Sequence, residues 1–255
     1  MRLVLLSFII SISGILFSCQ NKSLNTCYWG AIIRGDTTRQ QIALVFTGDE
    51  YADGGYHIYQ VLNANNVEAS FFFTGNFYRN PENVELIKKL ISDGHYLGAH
   101  SDRHLLYCDW ENRDSLLVDF KEFSLDLENN YLVMEEYGIN KNDAKYFLPP
   151  YEWYNDTISR WCNINEVQLV NYTPGTLSHA DYTSPEMPNY RSSSEIYMSI
   201  TEYESESESG LNGFILLLHI GTTPERTDKF YSLLPELISE LEDKGYSFRR
   251  IDELL

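Results

Sequence analysis

Two histidines four residues apart, in the stretch His100-Ser101-Asp102-Arg103-His104, are the residues of this 255-residue chain best spaced for chemistry. That spacing turns two imidazoles toward one point, on a helix or at a tight strand-to-helix turn. A carboxylate from another strand end would complete a set of two histidines and one acid, with positions left open for water and substrate. A hydrolytic metal site needs that arrangement. Asp49-Glu50 can supply the acid from upstream, and His219 ends an apolar run far downstream. A bare pair of histidines is weak evidence, so the segments that carry it decide its weight.

Those segments read as buried strands that open into polar residues. Ile42–Phe46 is an apolar, β-rich run followed by Thr47-Gly48-Asp49-Glu50, as expected of a strand buried on both faces that emerges at its C-terminal end. Residues 67–73 and 95–100 predict two more strands, the second ending at His100, and Phe214–His219 is the clearest of all. Shorter strands are predicted at 145–148, 167–171 and 246–251. Helices are predicted from residue 58, over 81–92 with Asn80 as N-cap and Gly94 as terminator, over 114–137 and over 228–244. Alternating strands and helices without repeats imply a largely parallel sheet in one domain. Polar residues gather at the C-terminal strand ends, where α/β barrels hold their active sites.

Three ordered motifs within these elements resemble the polysaccharide deacetylase family, also called carbohydrate esterase family 4 or the NodB-homology domain, over residues 40–255. Val67-Glu68-Ala69-Ser70-Phe71-Phe72-Phe73-Thr74-Gly75 is similar to its V-x-A-T-F-F-x-x-G strand. Gly94-His95-Tyr96-Leu97-Gly98-Ala99-His100-Ser101, with His104, is similar to its G-H-x-x-G-x-H-S/T-x-x-H metal motif, and Leu216-Leu217-Leu218-His219 to its L-x-L-H motif. The resemblance implies a distorted (β/α) barrel of the polysaccharide deacetylase type. It also implies removal of acetyl groups from a carbohydrate, N- or O-linked, with a divalent metal: Zn2+ first, and Co2+, Mn2+ or Ni2+ as alternatives.

Two departures bear on mechanism. The family's first motif is T-F-D-D-G, a base aspartate followed by a metal aspartate, whereas Val45-Phe46 here precedes Thr47-Gly48-Asp49-Glu50. Either Asp49 is the metal ligand and Gly48 stands where the base belongs, or Asp49 is the base and Glu50 the ligand. The third motif, R-x-P-Y, holds the base through its arginine; this chain has Leu148-Pro149-Pro150-Tyr151. Joint loss of base and tether is coherent, because a buried arginine without its carboxylate is costly. Asp49, His100 and His104 are therefore taken as the metal set. Glu50 is the first base candidate and Glu152 the second. The resemblance makes His219 the acid, with Asp181 orienting it in a loose match to the acid-aromatic fourth motif, and places Pro150, Tyr151 and Tyr182 against substrate. His95 is expected to be structural, and Ser101 and Asp102 to support the ligands or merely to shape the loop; His57 and His179 receive no role. Trp110, Trp153 and Trp161 are either core aromatics or a sugar platform. Two other functions fit the departures: a non-catalytic glycan-binding lipoprotein on the same fold, or an amidohydrolase of a non-sugar amide.

The N-terminus carries its own message. Met1-Arg2 and the apolar run Leu3–Leu16 have the pattern of a signal peptide, and the run is short for a membrane span. Leu16-Phe17-Ser18-Cys19 resembles a bacterial lipobox, which makes residues 1–18 a lipoprotein signal peptide, Cys19 the lipidated residue and 19–39 a tether with an N-terminal segment. The expected location is outside the cytoplasm, anchored by lipid alone and facing the periplasm or the cell surface. Cys27, Cys108 and Cys162 make an odd set with no close pair, so buried free thiols are expected. A net charge of −18 argues against nucleic acid. An acidic body with 19 Tyr, 13 Phe and 4 Trp suits a neutral ligand such as a carbohydrate. The acidic run Glu202–Glu208 reads as a solvated loop or helix face. Oligomeric state leaves no trace in the sequence.

Overall fold

The computed structural model describes residues 24–255; the predicted signal peptide and Cys19 lie outside them. The described chain opens with a hairpin, β1 (Thr26–Tyr28) and β2 (Ala31–Arg34). Its turn residues Trp29 and Gly30 have φ of 47° and 77°, the left-handed pair that a tight two-residue hairpin demands. There follow β3 (Gln41–Gly48), α1 (Gly55–Ala64), β4 (Ser70–Phe73), α2 (Gly75–Arg79), α3 (Val84–Ser92) and β5 (Tyr96–Ala99). The second half comprises α4 (Phe120–Glu135), β6 (Tyr146–Phe147), α5 (Asp156–Ile164), β7 (Gln168–Leu169), α6 (Ser193–Glu206) and β8 (Phe214–His219). α7 (Leu234–Asp243), β9 (Ser247–Phe248) and α8 (Ile251–Leu254) complete it.

The sheet runs β1-β2-β8-β3-β4-β5-β6-β7, with β9 beside the start of β3. From β8 to β7 every pairing is parallel. Val170, just past β7, bridges to Ile32 of β2, and the Asn171 N–H donates to the Ile32 carbonyl at 2.9 Å. The sheet therefore curls until its two ends meet, giving the distorted (β/α) barrel. Ile42–Phe46, Phe71–Phe73 and Phe214–Leu217 are wholly buried, as strands covered by helices on one side and by the barrel interior on the other must be.

Several boundaries differ from the sequence reading, for local reasons. Residues 26–34, assigned above to a segment ahead of a domain starting at 40, are strands of the sheet. The helix expected from 114 starts only at Phe120, where the Asp119 side chain caps the Glu122 N–H at 2.8 Å. Before it, Tyr107–Leu117 forms a small hairpin bridged at Cys108 and Leu116. Residues 81–83 and 230–233 are 3-10 turns ahead of α3 and α7, and Asn80 caps the first through the Glu82 N–H. The strand expected over 246–251 keeps two residues, because Ile251 begins α8. α5 and α6 were not foreseen, and most of the acidic run is the end of α6. Cys108 and Cys162 are buried thiols, but Cys27 is exposed. Among the described residues no helix is long and apolar enough to cross a membrane.

Candidate active site

The C-terminal ends of β3, β5 and β8 open into one cleft of about 540 Å³. Its wall includes Asp49, His100, His104, Glu152 and His219. Thr47 and His219 are register partners on adjacent parallel strands, and both line the cleft together with Asp49, two residues beyond Thr47. Gly48 between them lines the cleft with its backbone alone, because strand alternation would point a Cβ there the other way, toward Phe73, Phe77 and Ile220.

The two predicted ligand histidines are held differently. His100 is buried, and its backbone N–H is shared between the Asn130 side-chain oxygen at 2.9 Å and the Phe73 carbonyl at 3.2 Å. Its Nδ1 lies 2.8 Å from the Leu148 carbonyl, so Nδ1 carries the proton and Nε2 keeps a free lone pair. Burial, aided by neighbouring His104, holds its pKa well below the usual histidine range. His104 follows a turn in which Ser101 and His104 both have positive φ, 73° and 56°. Buried Asp126 of α4 fixes that turn by accepting from the Ser101 hydroxyl (2.6 Å) and from the N–H groups of Asp102 (3.0 Å) and Arg103 (3.1 Å). Burial lowers the His104 pKa, with Asp49 pulling the other way. Asp102 pairs with Arg79 and occupies the space a Cβ at Gly75 would need, which explains the glycine after Phe-Phe-Phe-Thr.

Asp49 takes a 2.7 Å hydrogen bond on Oδ1 from the Thr74 hydroxyl, and its Oδ2 lies 3.9 Å from His104 Nδ1. The His100 and His104 ring centres are 5.1 Å apart. Among the described residues, no three His, Cys, Asp or Glu side chains close on a single point as they stand. The donor chemistry nonetheless fits a divalent ion: two imidazoles kept neutral by burial, one with its tautomer locked, and a carboxylate with one oxygen turned toward them.

In the same cleft His219 is paired with a carboxylate. His219 Nδ1 is 2.6 Å from Asp181 Oδ1, and the His219 N–H donates to Asp181 Oδ2 at 2.9 Å. Burial is the largest influence on this imidazole and works against its charge. Asp181 and Glu152 outweigh it, so the pKa ends above the ordinary value. The Tyr182 ring lies 5.1 Å from that of His219.

The two base candidates separate clearly. Glu50 is exposed at the rim. Glu152 reaches into the cleft from a turn in which Tyr151 and Glu152 have φ of 59° and 54°, a conformation that costs about 1–2 kcal/mol per L-residue. The turn is held by the Glu152 N–H to Pro149, the Trp153 N–H to Pro150 and the Asn171 amide to the Glu152 carbonyl. Burial raises the Glu152 carboxyl to about 7, His219 opposing and Asp181 adding to the rise. Pro150, predicted to meet substrate, is buried within the turn and does not line the cleft; Tyr151 and Tyr182 do. The sequence reading passed over His179, which stacks on Tyr172 at 4.6 Å and lines the cleft. It also passed over Thr74, Asp126 and Asn130. The last two were visible as polar residues on the apolar stripe of α4, between Phe123, Leu127, Tyr131 and Met134. His95 is structural as expected, accepting from the Ala69 N–H at 3.0 Å.

The family model for polysaccharide deacetylase matches residues 34–170. The chain belongs to the polysaccharide deacetylase family. It is 26% identical over 227 residues to the uncharacterized protein YlxY of Bacillus subtilis, covering 88% of this chain and 60% of that one, so it spans under two thirds of that relative's length. It is 26% identical over 239 residues to the peptidoglycan-N-acetylmuramic acid deacetylase PdaA of the same organism, covering 92% and 79%. Among solved structures, a carbohydrate esterase family 4 pseudoenzyme from Bacillus anthracis superposes with a TM-score of 0.68 at 16% identity, covering 89% of this chain and 69% of that one. Against the family's first motif, Gly48 is informative. A Cβ there would come within 2.8 Å of Ile220, 2.9 Å of Phe73 and 3.0 Å of Phe77. No carboxylate fits at that position without moving the core.

Proposed function

We propose that the protein is a carbohydrate deacetylase that hydrolyses an acetamide or acetyl ester in this cleft. The observation that carries the reading is that Asp49, His100, His104 and the Asp181-paired His219 line one cleft. A divalent ion held by Asp49, His100 and His104 would supply Lewis acidity toward the carbonyl and a lowered pKa for attacking water; zinc suits this donor set best. Glu152 takes the water proton, being the cleft carboxyl poised near neutrality. Asp181 keeps the proton on His219 Nδ1, so that Nε2 delivers a proton to the leaving amine or alkoxide. Tyr182, packed on His219, shapes the acetyl end. For location, the proposal remains export and anchoring through Cys19, on the sequence pattern alone.

Protein lacking residues 1–23 should release acetate from acetylated chitooligosaccharides, peptidoglycan fragments or acetylated xylan when Zn2+, Co2+ or Mn2+ is added. Its melting temperature should also rise with zinc, and His100→Ala or His104→Ala should abolish both effects. Full activity in either variant would mean the site is misassigned.

The packed position of Gly48 and the missing arginine at Leu148 favour one second reading, a glycan-binding protein without turnover. Zinc-dependent stabilisation and glycan binding with no acetate release would establish it, whereas release only from small non-sugar amides would point to an amidohydrolase.

A further inference from the structure

Of Trp110, Trp153 and Trp161, only Trp110 lines the cleft. Trp161 packs on Phe123 and Phe120 at the core's edge, ring centres 5.6 Å from each. Trp153 is a buttress: its indole N–H donates to the Asp109 carbonyl at 3.1 Å, and the Arg113 guanidinium lies 3.5 Å from its ring centre. Trp110 is 55% exposed and stands at the cleft mouth. Its ring centre lies 5.6 Å from Trp153 behind it and 5.6 Å from Tyr151 beside it, and Tyr151 in turn lies 4.4 Å from His104.

The hairpin that presents Trp110 is built to hold it. The Asp109 N–H donates to the Ser115 carbonyl at 2.9 Å, and the Leu117 N–H to the Tyr107 carbonyl at 2.9 Å. The Asp109 carboxylate accepts from the N–H groups of Glu111 and Asn112, both at 2.9 Å. From outside the hairpin, the Asn155 amide donates to the Arg113 carbonyl at 2.8 Å. A large apolar ring held in water by so many local bonds is preorganised for a partner, because its ordering cost is already met in the free protein.

We propose that Trp110, with the edge of Tyr151, is a platform for a pyranose ring of the glycan next to the sugar that enters the cleft. The ring is continuous with the site through Tyr151 and His104. The protein's net charge of −18 disfavours a polyanion there, while an uncharged sugar offers a C–H face to the indole. The proposal rests on the carbohydrate reading of the cleft and adds the means by which a chain longer than one sugar is preferred.

The test is binding of N-acetylated chitooligosaccharides of one to five units, and of acetylated xylooligosaccharides, to zinc-loaded protein lacking residues 1–23. Calorimetry would be paired with acetate release. Trp110→Ala should weaken binding and raise KM about tenfold or more for oligomers, the usual scale for a buried tryptophan contact, with kcat and the single-sugar response unchanged; Trp110→Phe should restore most of it. Oligomer affinity and KM unchanged in Trp110→Ala, or wild type that binds no member of the panel, would overturn the platform. Binding that depends on Trp110 without acetate release would keep the platform and sink the deacetylase reading alone.

Discussion

At the scale of single residues, the cleft is organised by two acids that act on one imidazole. Asp181 raises the His219 pKa, so the donor form persists toward higher pH and the rate falls only as pH climbs through that raised value. Asp181→Asn removes the cause. The alkaline limb of the kcat/KM profile should move to lower pH, and activity should fall about a hundredfold. A limb that stays in place would mean His219 is not the acid. Glu152 works with the opposite sign. Its folded pKa of about 7 lies above the ordinary 4.5, so folding favours its neutral form. The carboxyl therefore costs stability as pH rises from about 4.5, and the penalty is complete above about 7. Glu152→Gln should be more stable than wild type at pH 8, by on the order of 2–3 kcal/mol, and equal to it at pH 4. It should also lose the acid limb of the rate profile and roughly a hundredfold in rate. Equal stability at pH 8 would show the carboxyl to be solvated. His100 and His219 were legible because each closes a recognisable strand, and His104 because it follows His100 at ligand spacing. Glu152 was only a second candidate, since its value comes from a left-handed turn and from burial, neither of which its identity encodes.

At the scale of elements, the histidine turn belongs to β5 in sequence but to α4 in energetics. Asp126 accepts three hydrogen bonds from residues 101–103, and Asn130 ties the His100 N–H to the end of β4. Asp126→Ala leaves those donors unpaired in a buried place. It should cost about 3 kcal/mol in denaturant unfolding and weaken zinc binding about 10–100-fold without touching a ligand. Zinc affinity equal to wild type would show that the turn holds itself. The long buried strands were readable from apolar runs alone, but β6, β7 and β9 have two residues each, too few for any pattern. α6 escaped notice although Ser192 and Glu195 form a capping box at its start, because the stretch that follows is acid-rich and too sparsely apolar to show a helical period.

At the scale of the whole molecule, closure of the sheet depends on residues that sequence reading set outside the domain. Arg34 of β2 donates to the carbonyls of Asn212 and Gly210, each at 2.8 Å, and to the Tyr203 hydroxyl at 3.0 Å, pinning the hairpin to the connection between α6 and β8. Ile32 meets the far end of the sheet at Val170. A tether needs neither contact, and nothing in the hydropathy of 26–34 separates a short hairpin from one. Arg34→Met keeps the apolar stem of the side chain but ends short of the guanidinium, so packing near the strand survives while the two carbonyls lose their donor. The expected cost is about 2–4 kcal/mol, a fall of roughly 4–16 °C in melting temperature for a chain of this size. Removing residues 1–39 is a harsher test, because it bares the β8 edge beside Phe214 and opens the ring at Val170. That protein should lose cooperative unfolding and aggregate, as an uncovered apolar edge does, whereas protein lacking only 1–23 should unfold in one transition. If both unfold cooperatively with the same midpoint, the barrel stands without its closing hairpin and the domain does begin near residue 40.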